Sequence, residues 1–356
     1  MASIVTQGKT ISGQSPPTTS LRGIRILSTG SYVPEVVVRN SDLSELGCDE
    51  EWIVQRTGIL ERRHCSPEQA TSDLAYQAAR DCLDRAGVPA SDVDLIIVAT
   101  MTPDHFTPST SALVQNMLGC KAIGMDLNAA CSGFTYGLMV ASQFIKTGSL
   151  RNILVIGADA MSRVIDSQDV KTYPLFGDAA GAVLVTADPK ATEDSGPGIL
   201  SWRLVTEGDL SHLISVPGAC SRMPASEKML EERQQFLKMN GKPVFKWAVR
   251  SIPQAISEVL EMANMTIDDV DLLLLHQANL RIIDAALQDV AIPREKVYTN
   301  LQSYGNTSAA SIPLLLDEAI KAGIATLDDR ILMCGFGAGL TLGSCIYQGQ
   351  ATGSDC

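Results

Sequence analysis

The sequence predicts an α/β fold built from two similar halves, and two observations carry that expectation. From Arg25 onward, apolar runs of strand length alternate with amphipathic stretches of helical period. One phrase also occurs twice, an amphipathic helix leading into an acidic turn and a buried-strand run. It reads Asp92-Val93-Asp94-Leu95-Ile96-Ile97-Val98-Ala99 and again Asp269-Val270-Asp271-Leu272-Leu273-Leu274-Leu275. The two copies start 177 positions apart, about half of the 356 residues, which points to two halves rather than a short solenoid repeat. Coincidence between two ordinary helix-plus-strand units is the competing explanation.

The helix before the first copy is expected over residues 73–86. Leu74, Ala75, Ala78, Ala79, Cys82, Leu83 and Ala86 share one face, and Gly87 ends the run. Before the second copy, residues 252–263 place Ile252, Ala255, Ile256, Val259, Leu260 and Ala263 on one face. Further strands are expected at Ile153–Gly157, Ala182–Thr186 and Ile331–Cys334. Residues 206–235 are more polar, and the charged run Ser226–Gln235 is expected as a solvated surface helix or excursion. Residues 1–22 are rich in Ser, Thr, Gln and Gly and lack an apolar core, so a disordered extension is expected there. The two halves are then 23–190 and 191–356.

Composition narrows the function. With 28 Lys+Arg against 40 Asp+Glu the formal charge is −12, which argues against nucleic acid as a partner but leaves room for a local basic patch. No run approaches the ~20 apolar residues that span a bilayer. Nine cysteines without a CxxC pair fit reduced thiols and a cytoplasmic location. Four histidines with no Cys/His cluster leave no expected metal site.

Three residues carry chemistry. Cys131 stands among Ala129, Ala130, Ser132 and Gly133, ahead of an apolar stretch that reads as a buried helix ending near Lys146-Thr147-Gly148. In that helix's first turn the free N–H groups and the dipole would lower its pKa, and small neighbours would admit a thioester. The bland alternative is a packed core cysteine. His276 closes the run Leu272–Leu275 at a strand's carboxyl end, where α/β proteins commonly place binding groups. Asn306 follows Gly305 into the small-residue stretch Thr307-Ser308-Ala309-Ala310-Ser311, where a helix N-cap is its bland alternative. Cys, His and Asn in this order fit a papain-like hydrolase or a condensing enzyme in which His and Asn donate to a thioester carbonyl. Ser132-Gly133-Phe134 after the cysteine, where a protease would carry a tryptophan, and the repeated α/β pattern favour condensation.

Seven phrases in order then resemble one family. They are GIRILSTGSYVPE, DEEWIVQRTGILERR, AACSGFTYGL, FGDAAGAVL, HQANLRII, YGNTSAAS and GFGAGLTLGS, spanning about Gly23 to Gln348. The chain resembles the 3-oxoacyl-[acyl-carrier-protein] synthase III family, initiating condensing enzymes of fatty acid synthesis. The resemblance implies a thiolase-like fold, two halves in five αβαβα layers, and a homodimer. It implies ping-pong chemistry: an acyl-CoA acylates Cys131, malonyl-acyl carrier protein loses CO2, and its carbanion attacks the thioester. No cofactor is implied, since acyl-CoA and the acyl carrier protein bring the substrates. His276 and Asn306 would bind the malonyl thioester carbonyl, and the backbone N–H groups of Cys131 and Ala338 would form the oxyanion hole. Trp52, Arg56 and Asn279 would meet CoA or its pantetheine. Gln277, Arg281 and Lys246 would meet the carrier protein, and Thr107 with Phe106 would shape the acyl pocket.

Some positions depart from the family pattern. Val170-Lys171 stands where an arginine often faces adenine, Gln288-Asp289 where a basic residue is usual, and Thr107 where acetyl-selective members carry an aromatic ring. The segment 211–235 is longer than usual. Hydroxymethylglutaryl-CoA synthases need a carboxylate base upstream of the cysteine, and residues 105–125 contain no Asp or Glu. Type III polyketide synthases share the triad but not HQANLR. A non-catalytic subunit would not keep all three residues. A synthase III relative serving a specialised pathway is the remaining alternative.

Overall fold

The computed structural model describes residues 20–189, 191 and 196–349. Two five-stranded sheets organise it. The first runs Ile24–Tyr32, Ala179–Ala187, Asn152–Asp159, Leu95–Ala99, Ile123–Leu127. The second runs Leu21–Arg22, Gly198–Thr206, Thr341–Gln348, Arg330–Gly337, Leu272–Leu275. Four strands of one sheet match four of the other in order and direction, so the twofold repeat in the sequence is a repeat of architecture.

The repeated phrase shows how the layers form. Successive side chains of a strand face opposite sides. Leu95 and Ile97 join one apolar cluster with Leu272 and Leu274, between the two sheets. Ile96 and Val98 pack outward against helix Thr71–Ala86, whereas Leu273 and Leu275 pack outward against helices Gly241–Met262 and Leu280–Val290. Both faces of each sheet are therefore covered, which is why these strands read as continuous apolar runs. Helices Gly133–Lys146 and Ser311–Lys321 fill the central layer. The result is five αβαβα layers, the thiolase-like arrangement.

Boundaries follow local chemistry. Helix Thr71–Ala86 starts two residues before the expected 73 because Asp73 accepts from the Ala70 N–H at 2.8 Å, and Gly87 closes it at φ +63°. The helix expected over 252–263 begins at Gly241 and passes through Pro253, its apolar face extended by Trp247 and Ala248. The strands expected at 153–157, 182–186 and 331–334 run longer, because glycine and alanine continue the ladder where apolar patterning stops. The charged run holds one short helix, Glu227–Glu231.

The halves differ at the edges. Leu21–Arg22, within the expected disordered extension, instead form a strand paired with Gly198–Ile199 of the other half; residues 1–19 lie outside the described residues. The first sheet's fifth strand, Ile123–Leu127, pairs parallel with Leu95–Ala99 at the opposite end, where the second sheet has only the bridge Leu273–Val297.

Candidate active site

Cys131, His276 and Asn306 come together on one cavity of about 140 Å³, lined besides by Met101, Met161, Phe176, Ile214, Leu237 and Met239. Each arrives from a different half or turn. Cys131 lies in the turn Ala130–Ser132 that feeds the central helix Gly133–Lys146. Ala130 before it holds φ +46°, a left-handed conformation that costs a non-glycine residue ~1–2 kcal/mol and turns the sulfur into the cavity mouth. Gly337 of the opposite half packs against it: a Cβ there would stand 3.0 Å from the Cys131 sulfur and 2.8 Å from its Cβ.

The dipole argument for a lowered thiol pKa does not prevail. Burial is the largest influence and pushes the Cys131 thiol up to about 12, with the nearby Asp159 charge adding to it. The Ser308 hydroxyl and the backbone N–H groups of Cys131 and Ala338 act the other way. In the free protein Cys131 is therefore a protonated thiol. The two N–H groups expected to form an oxyanion hole are the ones that bear on its sulfur.

His276 is 1% exposed, its N–H donating to Cys334 O at 2.9 Å and its ring edge-to-face with Phe336. Burial pushes its pKa down to about 3, so the imidazole is neutral. Nδ1 is buried with no partner, and nothing there holds a proton by accepting it. That favours the tautomer with N–H on Nε2, a donor.

Asn306 is held by its backbone, donating to Leu175 O at 2.8 Å and accepting from Gly177 N at 3.0 Å. Its Oδ1 takes the Ser308 N–H at 2.9 Å, as a cap would, and among the described residues Nδ2 has no hydrogen-bond partner. The small-residue run after it has a packing cause: a Cβ on Gly157 would lie 2.1 Å from Ala309 O.

Outside the cavity mouth, Trp52, Arg56, Asn279 and Arg281 line an outer depression with Val170, Lys171 and Lys242. Lys246 lies on an adjoining one shared with Arg56, Lys242 and Arg281. Arg56 stacks on the Trp52 ring at 4.5 Å. Asn279 caps helix Leu280–Val290 through Arg281 N and donates to Arg56 O at 2.9 Å, so its amide braces the rim. A net-acidic chain thus presents five cations across two depressions that share Arg56, Lys242 and Arg281, of which sequence reading missed Lys242.

One expectation is corrected, and another is not met within the single chain. Gln277 is 1% exposed, its amide donating to Leu275 O and its Oε1 accepting from Asn300 N, so it braces the site from inside and cannot meet a carrier protein. Thr107 and Phe106 do not line the cavity of their own chain. Both are exposed, Phe106 at 83%. The cavity wall comes instead from Ile214, Leu237 and Met239 around the long segment, which Arg233 pins through its ion pair with Asp166. Among the described residues no cluster of His, Cys, Asp and Glu could hold a metal ion, and no helix is long and apolar enough to cross a membrane.

Known proteins share this sequence and fold. Residues 125–208 match the 3-oxoacyl-[acyl-carrier-protein] synthase III family and residues 260–348 its C-terminal counterpart. The beta-ketoacyl-[acyl-carrier-protein] synthase III of Rhodopirellula baltica is 50% identical over 342 residues, 92% of this chain and 99% of that one. The crystal structure of 3-oxoacyl-[acyl-carrier-protein] synthase III from Aquifex aeolicus superposes with a TM-score of 0.83 at 43% identity, covering 92% of this chain and all of that one. The priming β-ketosynthase of the R1128 polyketide pathway is more distant, 33% identical at a TM-score of 0.82 over 95% of this chain and 99% of its own. The chain belongs to the 3-oxoacyl-[acyl-carrier-protein] synthase III family of condensing acyltransferases.

Proposed function

We propose that the chain condenses an acyl-CoA primer with malonyl-acyl carrier protein, giving 3-oxoacyl-acyl carrier protein, CoA and CO2, as the first step of fatty acid synthesis. The observation that carries it is the convergence of a half-buried thiol, a neutral histidine and an uncommitted asparagine amide on one apolar cavity behind a cationic rim. Cys131 attacks the acyl-CoA carbonyl, the C–S bond to CoA breaks, and the thiol proton ends on the departing CoA. Donors at the backbone of Cys131 and Ala338 stabilise the oxyanion. After malonyl-acyl carrier protein enters, the Nε2–H of His276 and Nδ2–H of Asn306 hold its thioester carbonyl as CO2 leaves. The enolate carbon then displaces Cys131 from the acyl group. Each bond formed is matched by one broken and nothing is oxidised or reduced, so the reading requires no redox cofactor.

The rim cations Arg56, Lys171, Lys242, Lys246 and Arg281 suit the phosphates of CoA and an acidic carrier protein, with Trp52 a stacking face. The exposed Phe106 and the open edge strand Ile123–Leu127, with Ile123 56% exposed, suit a homodimer. A cytoplasmic location follows from the substrates and from eight free cysteines among the described residues. The test is purified protein given malonyl-acyl carrier protein and a panel of acyl-CoAs, with products read by intact mass and particle mass by sedimentation. Expected are 3-oxoacyl-carrier products and two chains per particle. Acyl transfer to another acceptor without condensation would favour a specialised-pathway role.

His276 also sets a pH expectation. Its folded pKa lies near 3, below the ordinary ~6.5, so the neutral donor persists as pH falls. Malonyl decarboxylation should then stay level from pH 7.5 to 5.5. An unperturbed histidine would be about 90% protonated at pH 5.5, and a ten-fold fall with a midpoint near 6.5 would refute the neutral-donor role.

A further inference from the structure

Asp159 ends the strand Asn152–Asp159, fully buried, and the reaction above makes no use of it. Its carboxylate joins two segments that line the cavity. Oδ1 accepts from Thr100 Oγ1 at 2.9 Å, Met101 N at 2.8 Å, Thr102 N at 3.2 Å and Thr102 Oγ1 at 3.0 Å. Oδ2 accepts from Ala309 N at 3.0 Å, in the turn that carries Asn306. The neighbouring Ser308 holds φ +51°, and its N–H is the one that Asn306 Oδ1 accepts. The Ser308 hydroxyl is buried without a well-formed hydrogen bond and lies beside both Asp159 and the Cys131 sulfur. No lysine or arginine forms an ion pair with Asp159 among the described residues. Burial pushes its pKa up, and the donors converging on its oxygens act against that rise.

Such a group is costly to bury, and five hydrogen bonds into two loops identify what it holds. We propose that Asp159 is a positioning residue for the condensing reaction: one buried carboxylate ties the turn carrying Asn306 to the loop Thr100–Thr102 and so aims the Asn306 amide into the cavity. The inference rests on the reading of Asn306 as a donor to the malonyl thioester.

The test uses Asp159→Asn. Its single oxygen can serve the four donors around Oδ1, which turns the new NH2 group toward Ala309 N, donor against donor. The Asn306 turn loses its tie, so malonyl decarboxylation should fall about 10- to 100-fold while acyl uptake at Cys131 stays within about three-fold. The titratable groups facing Cys131 are His276, which is neutral, and Asp159. Replacing the carboxylate should therefore move the pH midpoint of Cys131 alkylation by iodoacetamide downward; loosening of the fold would expose the thiol and do the same, so the shift counts only with a thermal melt equal to the parent's. Thr102→Val keeps the carboxylate and the Ala309 tie but removes one Oδ1 donor, together with the acceptor of Ala160 N; a loss of about three- to ten-fold in decarboxylation with an unmoved alkylation midpoint is expected, and this variant decides if Asp159→Asn does not fold. Decarboxylation at the parent rate in every folded variant overturns the proposal. Asn306→Ala, run alongside, separates the two failures. If it is inactive while Asp159→Asn is normal, only the positioning role falls; if it is itself normal, the donor reading falls and this inference with it.

Discussion

Cys131→Ser is expected to take up no acyl group from acyl-CoA while folding as the parent does. The sulfur faces a cavity mouth closed by Gly337, the N–H groups of Cys131 and Ala338, and Ser308. These donors make a thiolate reachable even though burial holds the resting thiol near pKa 12. A serine hydroxyl is a far weaker acid in the same enclosure, with no base beside it, since His276 is neutral with a pKa near 3 and faces the cavity as a donor. Loss of the nucleophile in a covalent enzyme costs on the order of 10⁶-fold. Oxygen is smaller than sulfur and the site borders open space, so stability should change by less than about 1 kcal/mol. Intact mass after incubation with radiolabelled acyl-CoA, followed by peptide mapping, reads the result. Cys220 is exposed and is the position to check for non-specific acylation, whereas Cys82, Cys334 and Cys345 are buried with thiols held near 12. Normal labelling of the serine variant, or a parent label on Cys220, would remove Cys131 from the mechanism.

The features legible in the sequence share one property: their meaning is local. The repeated DVDL phrases announced strands whose alternate residues face two helix layers, and Leu95 and Leu272 occupy matching faces in the structure. Cys131, His276 and Asn306 sit at strand or helix ends among small or polar neighbours, where a turn must form. What escaped the sequence depends on distant segments. Gln277 adjoins His276 in the chain, yet it turns inward to Leu275 O and Asn300 N, partners fixed by folding. Phe106 and Thr107 sit near the cavity segment Met101 in sequence, but the loop carries them outward. Asp159 looks like an ordinary strand end, because its donors lie at residues 100–102 and 309. The thiol pKa escapes the sequence for a related reason: the dipole is visible there, whereas packing against Gly337 of the opposite half is not.

His276→Ala and Asn306→Ala are expected to separate the two half-reactions. Each should still be acylated at Cys131, because neither side chain bears on the sulfur as the Cys131 and Ala338 N–H groups do. Each should lose malonyl decarboxylation by about 10²–10³-fold, the usual cost of removing one donor to a developing oxyanion. Together they should lose less than the product of the single effects, since both donors serve one oxygen. The two differ structurally. His276→Ala opens space beside Phe336 and removes a buried ring, so it should also cost stability, about 2–3 kcal/mol. Asn306→Ala keeps the backbone bridge to Leu175 and Gly177 but abandons the Ser308 N–H, worth about 1–2 kcal/mol. Single-turnover acylation followed by malonyl-carrier decarboxylation, measured on the same preparations, resolves the steps. If Asn306→Ala decarboxylates at the parent rate, its Oδ1 bond to Ser308 N is its whole role and the residue is a cap. If His276→Ala instead loses acylation first, the imidazole serves the thiol, and its low pKa would then make it a poor base rather than a good donor.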